Sequence, residues 1–241
     1  MPRGLATRNR IKQAALELFV TKGVLGTSVR DIASLADIAE GGLYRHYASK
    51  EDLAWKLFSE NYAGLAKELA DLAKAKGDFT SRLSGMIHRF CRFFDEEPLL
   101  FRFLLLTQHQ ELPKLKSKTQ SPVQVLHRLV SDAQKNAEVD IDNPDLVTAQ
   151  LLGLILQPAT FMVYGLLTPG MQRIEAETLA ACLKIAAPPT FRGEVGRGAR
   201  ASPAIGKSSP MPPPNLPLKG EGLDRAATGP RRASARARSV S

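Results

Sequence analysis

Residues 27 to 53, TSVRDIASLADIAEGGLYRHYASKEDL, hold two short amphipathic segments separated by a tight turn, the spacing of a helix-turn-helix that reads DNA. Thr27 or Ser28 offers a side-chain oxygen to the free N–H groups of the first segment, and Asp31 is placed to favour the positive end of that helix. Val29, Ile32, Ala33 and Ala36 mark its buried face. Asp37 follows where the chain must turn sharply, a place usually given to Gly, and Asp is one of the few residues that tolerates the left-handed conformation. The second segment begins near Ala39. Leu43 and Tyr47 lie one turn apart and point inward, which leaves Glu40, Gly41, Gly42, Tyr44, Arg45 and His46 outward. A Gly costs a helix about 1 kcal/mol against Ala. Two in succession at an exposed helix start imply close approach of that backbone to another surface. The competing interpretation is three ordinary helices of a bundle, with Arg45 and His46 merely solvated.

Upstream, Ile11, Ala14, Ala15, Leu18 and Phe19 form one apolar stripe of a preceding helix, which Gly23 ends. The pieces FVTKG, GTSVRDIA and EGGLYRHYASKEDL follow one another in unbroken order over roughly the first fifty-five residues. In that order they resemble the DNA-binding domain of the TetR family of transcriptional regulators. Two positions depart from the family pattern: Asp37 stands for the usual turn Gly, and Ala39 for a Ser or Thr that would cap the third helix, an absence worth about 1 kcal/mol of local stability. The resemblance implies that Thr27, Tyr44, His46 and Lys50 contact phosphates of double-stranded operator DNA, and that Glu40, Gly41, Gly42 and Arg45 face base edges in the major groove. Side-chain chemistry suits that division. Arg45 has the planar fork that donates twice to guanine, whereas Tyr44 and Lys50 supply donors that position a helix without reading sequence.

Charge follows region. The chain of 241 residues has formal net charge +9, with +4 in residues 1 to 50 (8 basic, 4 acidic), +7 in residues 190 to 241 (10 basic, 3 acidic) and −2 between (15 basic, 17 acidic). Arg3, Arg8, Arg10 and Lys12 make the N-terminal arm and first helix suited to DNA phosphates. Two cysteines far apart, Cys91 and Cys182, and no charged segment followed by an apolar run at the N-terminus point to a reducing cytoplasm. The apolar run Leu146 to Leu167 is interrupted by Gln150, Gln157 and Pro158 and lacks a basic flank. It is expected as a buried helix rather than a membrane span.

The whole pattern is all-α. Residues 1–50 read as the DNA-binding domain, 51–189 as a helical ligand-binding and dimerisation domain, and 190–241 as a disordered basic Pro/Arg-rich tail. Helices are expected over residues 50 to 75, 80 to 95, 99 to 110, 122 to 137, 144 to 167 and 174 to 187. Ser121-Pro122 and Asn143-Pro144 are the clearest start signals. Small and apolar residues at Ala149, Leu152, Gly153, Leu156, Ala159 and Thr160 suit either an intramolecular core or close packing of a second helix. The family resemblance implies the second, a homodimer, which is also what two recognition helices need to read a palindrome. It implies a small-molecule pocket as well. Met86, Phe90, Phe93, Phe94, Phe103, Phe161, Met162 and Tyr164 are bulky enough to line a cavity for a hydrophobic or amphipathic ligand, with His109 and Gln157 as polar anchors.

The sum is a ligand-released repressor with no cofactor, metal or catalytic residue expected. The alternatives are a helical enzyme and a ligand-independent architectural DNA binder. An enzyme would have to use His88 and Cys91, one turn apart, with Asp95 as the only further candidate at helical reach. No phosphate-cradling Gly loop, zinc-ligand spacing or Ser-His-Asp signature accompanies them.

Overall fold

The computed structural model describes residues 3–115 and 120–186. Its helices are α1 (Arg3–Lys22), α2 (Val29–Leu35), α3 (Glu40–Tyr44), α4 (Lys50–Ala73), α5 (Phe79–Glu96), α6 (Pro98–Glu111), α7 (Pro122–Lys135), α8 (Pro144–Val163) and α9 (Glu175–Ile185), with 3-10 turns at Leu112–Lys114 and Met171–Ile174. Among the described residues there is no strand. The expected basic tail, residues 190 to 241, lies outside the described residues, as does part of the Lys-rich connection after Leu115.

Helix starts are written into the sequence as side-chain caps. Ser28 accepts from Asp31 N–H while its own N–H donates to the Asp31 carboxylate, and Ser121 and Gln124 repeat that reciprocal box at α7. Ser49, Asp78 and Asn143 cap α4, α5 and α8 through the backbone N–H three residues on. Pro98, Pro122 and Pro144 occupy the first turn, where a missing N–H costs nothing. Gly23, at φ +74°, and Asp37, at φ +51°, close α1 and the α2–α3 turn in the left-handed region, as the residue types require. Ala39 leaves α3 without a side-chain cap.

α1, α2 and α3 close around Ile11, Ala15, Ile32, Leu43 and Tyr47, all essentially inaccessible. α4 then carries this core into the rest of the chain through Leu53, Leu57 and Phe58. α4 packs on α5, α6 and α7; α7 packs on α8; α8 and α5 pack on α9. α1 also packs on α6, where the rings of Phe19 and Phe103 stack with centroids 5.8 Å apart. The boundary expected near residue 50 therefore falls at the start of a helix whose apolar side belongs to one continuous core.

α8 differs from its expectation. It is long and apolar enough to cross a membrane by length and composition, yet only 33% of its most apolar window is buried. Val147, Leu151, Ile155, Ala159 and Met162 face the core, while Leu146, Ala149, Gln150, Gly153, Gln157, Phe161 and Tyr164 lie along the opposite side and are exposed. The helix is two-sided, not buried all round. Leu152 and Leu156, grouped in the sequence with Ala149 and Gly153, belong to neither extreme: they are half-buried and line a partly open cavity.

Candidate functional site

α3 presents a narrow outward face. Glu40, Gly41, Tyr44 and Arg45 are exposed, with Tyr44 at 57%, because Leu43 at 0% and Tyr47 at 1% anchor the other side. Gly41, Tyr44 and Arg45 stand at i, i+3 and i+4, so they share that face. A Cβ built on Gly41 meets no atom within 4 Å, and neither Gly41 nor Gly42 has a positive φ. Nothing inside the molecule requires glycine at position 41. Gly42 is different: its Cβ would point at Ile38, 3.5 Å from Cδ1, so it belongs to the inner side of α3 rather than to the outward face expected for it. His46 is half-buried, tilted against the Tyr47 ring with centroids 6.5 Å apart.

Two expected phosphate contacts are turned inward. Thr27 is 2% exposed, and its hydroxyl donates to the carbonyls of Gly23 at 2.8 Å and Leu18 at 3.3 Å. Lys50 is 14% exposed along its side chain, and its Nζ donates to the Thr27 carbonyl at 2.8 Å. Together they strap the start of α4 to the α1–α2 turn. A short polar side chain and a Lys beside the motif gave the same sequence signal as surface donors, and only the packed geometry separates the two uses.

Arg8, Arg10 and Lys12 of α1 are likewise occupied. Glu60 on α4 accepts from Arg8 at 3.4 Å and Lys12 at 2.8 Å, and Arg10 pairs with Asp37 at 3.4 Å. Arg8 also donates to the Tyr47 hydroxyl at 3.3 Å, which holds its guanidinium pKa above the usual value, and Arg8 and Lys56 each lie over the Tyr47 ring. These cations fix the base of α3 against α1 and α4.

A cavity of about 130 Å³ lies among α4, α5, α6, α7 and α8. Of the residues expected to line it, Met86, Phe90 and Phe93 do. Phe94 packs edge-on to Phe101, Phe103 is taken by the stack with Phe19, Met162 is buried outside the lining, and His109 and Gln157 are exposed elsewhere. Phe161 and Tyr164 are 39% and 46% exposed on the outer side of α8. The sequence reading missed Tyr62, Leu65 and Leu69 of α4, Gln108 of α6 and Leu126 of α7. The Leu65–Leu69 stripe was visible at helical spacing, but a stripe does not tell core from cavity wall. Burial pushes the Tyr62 phenol up, opposed by a hydrogen bond with Ser121.

The residues an enzyme would need are otherwise engaged. His88 Nδ1 lies 3.1 Å from both oxygens of Glu175, and Asp95 accepts the backbone N–H groups of Met171 and Gln172. The buried Cys91 thiol is pushed up to about 12, first by desolvation and then by Glu175 and Asp95. That keeps it a thiol at neutral pH, the opposite of an activated nucleophile. Among the described residues no group of three His, Cys, Asp or Glu side chains is placed to hold a metal.

Residues 11–61 match the model for bacterial regulatory proteins of the tetR family. A transcriptional repressor of Mycolicibacterium smegmatis, KstR2, is 28% identical over 145 residues, covering 56% of this chain and 70% of that protein. Matches at 34% and 33% identity to two Mycobacterium tuberculosis regulators run over only 48% and 40% of those proteins. Among solved structures, the Bacillus subtilis regulator FadR in complex with stearoyl-CoA is similar with a TM-score of 0.58 at 18% identity, covering 75% of this chain and 98% of that one. The ketosteroid regulator KstR2 of Mycobacterium tuberculosis gives 0.59 at 20%, covering 73% and 93%. These two likenesses establish the shared fold.

Proposed function

We infer from the tetR-family match over residues 11–61 that this chain is a TetR-family transcriptional regulator, working as a homodimeric repressor whose grip on a palindromic operator is relaxed by a small apolar ligand. The observation that carries the DNA reading is Gly41. It is exposed on the face shared with Tyr44 and Arg45, and the fold itself has no use for a missing side chain there. A backbone left bare at that point suits close approach to base edges, with Arg45 as the base reader and Tyr44 as a phosphate contact. Glu40 faces the same way.

Dimerisation is supported by the outer side of α8, where Leu146, Ala149, Gly153 and Phe161 form an exposed, largely apolar strip. A two-fold pair would place its recognition helices about 34–36 Å apart to match successive major grooves. The cavity supports ligand control, because α4 lines it with Tyr62, Leu65 and Leu69 and begins at Lys50, strapped to the helix-turn-helix. The similar FadR is described in complex with stearoyl-CoA and the similar KstR2 as a ketosteroid regulator, which supports an apolar or amphipathic ligand on this fold.

The test is Arg45→Ala, titrated against the operator and against random DNA of equal length. Loss of about 1–3 kcal/mol on the operator and little on random DNA supports base reading. Equal losses on both refute it.

A further inference from the structure

The cavity wall says what kind of group it accepts. Its lining is almost wholly Leu, Ile, Met and Phe, and contains no charged side chain. Only two lining residues carry a polar side-chain atom, Tyr62 and Gln108, and the Tyr62 hydroxyl is engaged with Ser121. Gln108 is half-buried and makes no side-chain hydrogen bond among the described residues. No fully buried side-chain polar atom among the described residues is left without a partner.

Size is equally informative. An apolar cavity of roughly 150 Å³ lined by Leu, Ile and Phe stays dry and takes benzene, and the present one is about 130 Å³. Drug-sized ligands occupy pockets of roughly 300–1,000 Å³. A four-ring skeleton, several times the size of benzene, is not enclosed within that volume, and only part of an eighteen-carbon chain would be. A carboxylate inside would be an unpaired anion among hydrocarbon, a costly arrangement.

We propose that the cavity is a site for a compact uncharged hydrocarbon group, about six carbons as a short chain or a single ring, bearing one hydrogen-bonding function that meets the Gln108 amide. This deepens the ligand-controlled reading above and rests on it for its regulatory meaning, while the site itself stands on the wall and the volume. Any charge on the natural ligand sits outside the cavity.

The experiment is calorimetric titration of the full chain with benzene, butanamide, pentanamide, hexanamide, hexanoate at pH 8 and a four-ring diketosteroid. Affinity rises about fourfold for each methylene up to hexanamide, as expected for burial of a CH₂ group. Hexanoate binds at least tenfold more weakly than hexanamide, and the steroid binds no better than hexanoate. Gln108→Leu weakens hexanamide roughly tenfold, the loss of one hydrogen bond. The same variant keeps benzene affinity, which reports that the cavity has survived the substitution. Steroid or hexanoate matching hexanamide, absence of benzene binding to the unaltered chain, or equal hexanamide affinity in the Gln108→Leu variant would overturn the proposal. Operator affinity measured at saturating hexanamide separates the two readings: binding in the calorimeter with unchanged operator affinity refutes ligand control and leaves the site intact.

Discussion

Gly41→Ala is the substitution for which stability and function are expected to move in opposite directions. Position 41 is helical, exposed and free of any neighbour within 4 Å of the added methyl, so the protein gains helix propensity without a clash. The gain is about 1 kcal/mol, which for a body of this size raises the melting temperature by about 2–4 °C. α3 spans five residues and has no side-chain cap, so little else in the helix supplies that increment. On DNA the sign reverses. A methyl on the face of Tyr44 and Arg45 holds the backbone away from the groove, and losing one good base contact costs about 1–3 kcal/mol, roughly five- to 150-fold in operator affinity. Calorimetric melting paired with operator titration reads both numbers on one preparation. Gly42→Ala is the control, since its methyl makes an ordinary 3.5 Å contact with Ile38: it shares the stability gain and keeps more of the affinity. A Gly41→Ala protein that melts higher and binds operator as tightly as the parent would refute the close-approach argument. One that melts lower would refute the helical assignment of α3.

Lys50→Met removes the strap to the Thr27 carbonyl and lowers stability by about 1.5–3 kcal/mol, the scale of a hydrogen bond from a charged donor; urea unfolding measures it, and the salt slope of DNA binding stays unchanged if Lys50 touches no phosphate. Gly153→Arg or Leu146→Glu, on the outer side of α8, yields folded monomers by sedimentation, whereas an unaltered dimer would show that the two-fold interface lies elsewhere. The thiol pKa values, raised to about 12 for Cys91 and about 11 for Cys182, mean that the folded state disfavours the thiolates. Their contribution is therefore complete below the unfolded thiol pKa, about 8.5, and is lost as pH rises through the folded values. Stability falls from about pH 8.5 up to about 12, less steeply in Cys91→Ala, and iodoacetamide at pH 8 labels either Cys only after unfolding.

Much of the architecture was legible because it is local. Ser121-Pro122 and Asn143-Pro144 announce α7 and α8 through caps that involve residues three apart, and Asp37 announces its left-handed turn by type alone. The outward placing of Glu40, Gly41, Tyr44 and Arg45 followed from Leu43 and Tyr47 at one-turn spacing, whereas Gly42 turns toward Ile38 and His46 is half-buried. What the sequence does not carry is competition between distant partners. Thr27 and Lys50 look like surface donors until their packing shows each bonded into the fold. Phe103 has the composition of a cavity wall, yet its ring is claimed by Phe19, eighty-four positions earlier. Leu152 and Gly153 are adjacent in a small-residue run, and only the placement of α5 and α7 assigns one to the cavity and the other to the exterior.

That adjacency constrains how such a protein can diverge. Leu152 and Leu156 face the cavity, while Gly153 and Gln157, each the very next residue, face outward. An α-helix turns about 100° per residue, so inserting or deleting one position near the middle of α8 swings cavity wall toward solvent and outer strip toward the interior in a single event. Descendants of this chain can acquire a new ligand through substitutions at Leu152 or Leu156, but not through length changes in α8. Length variation is left to the connections between helices, and the register of this one helix is inherited as a unit.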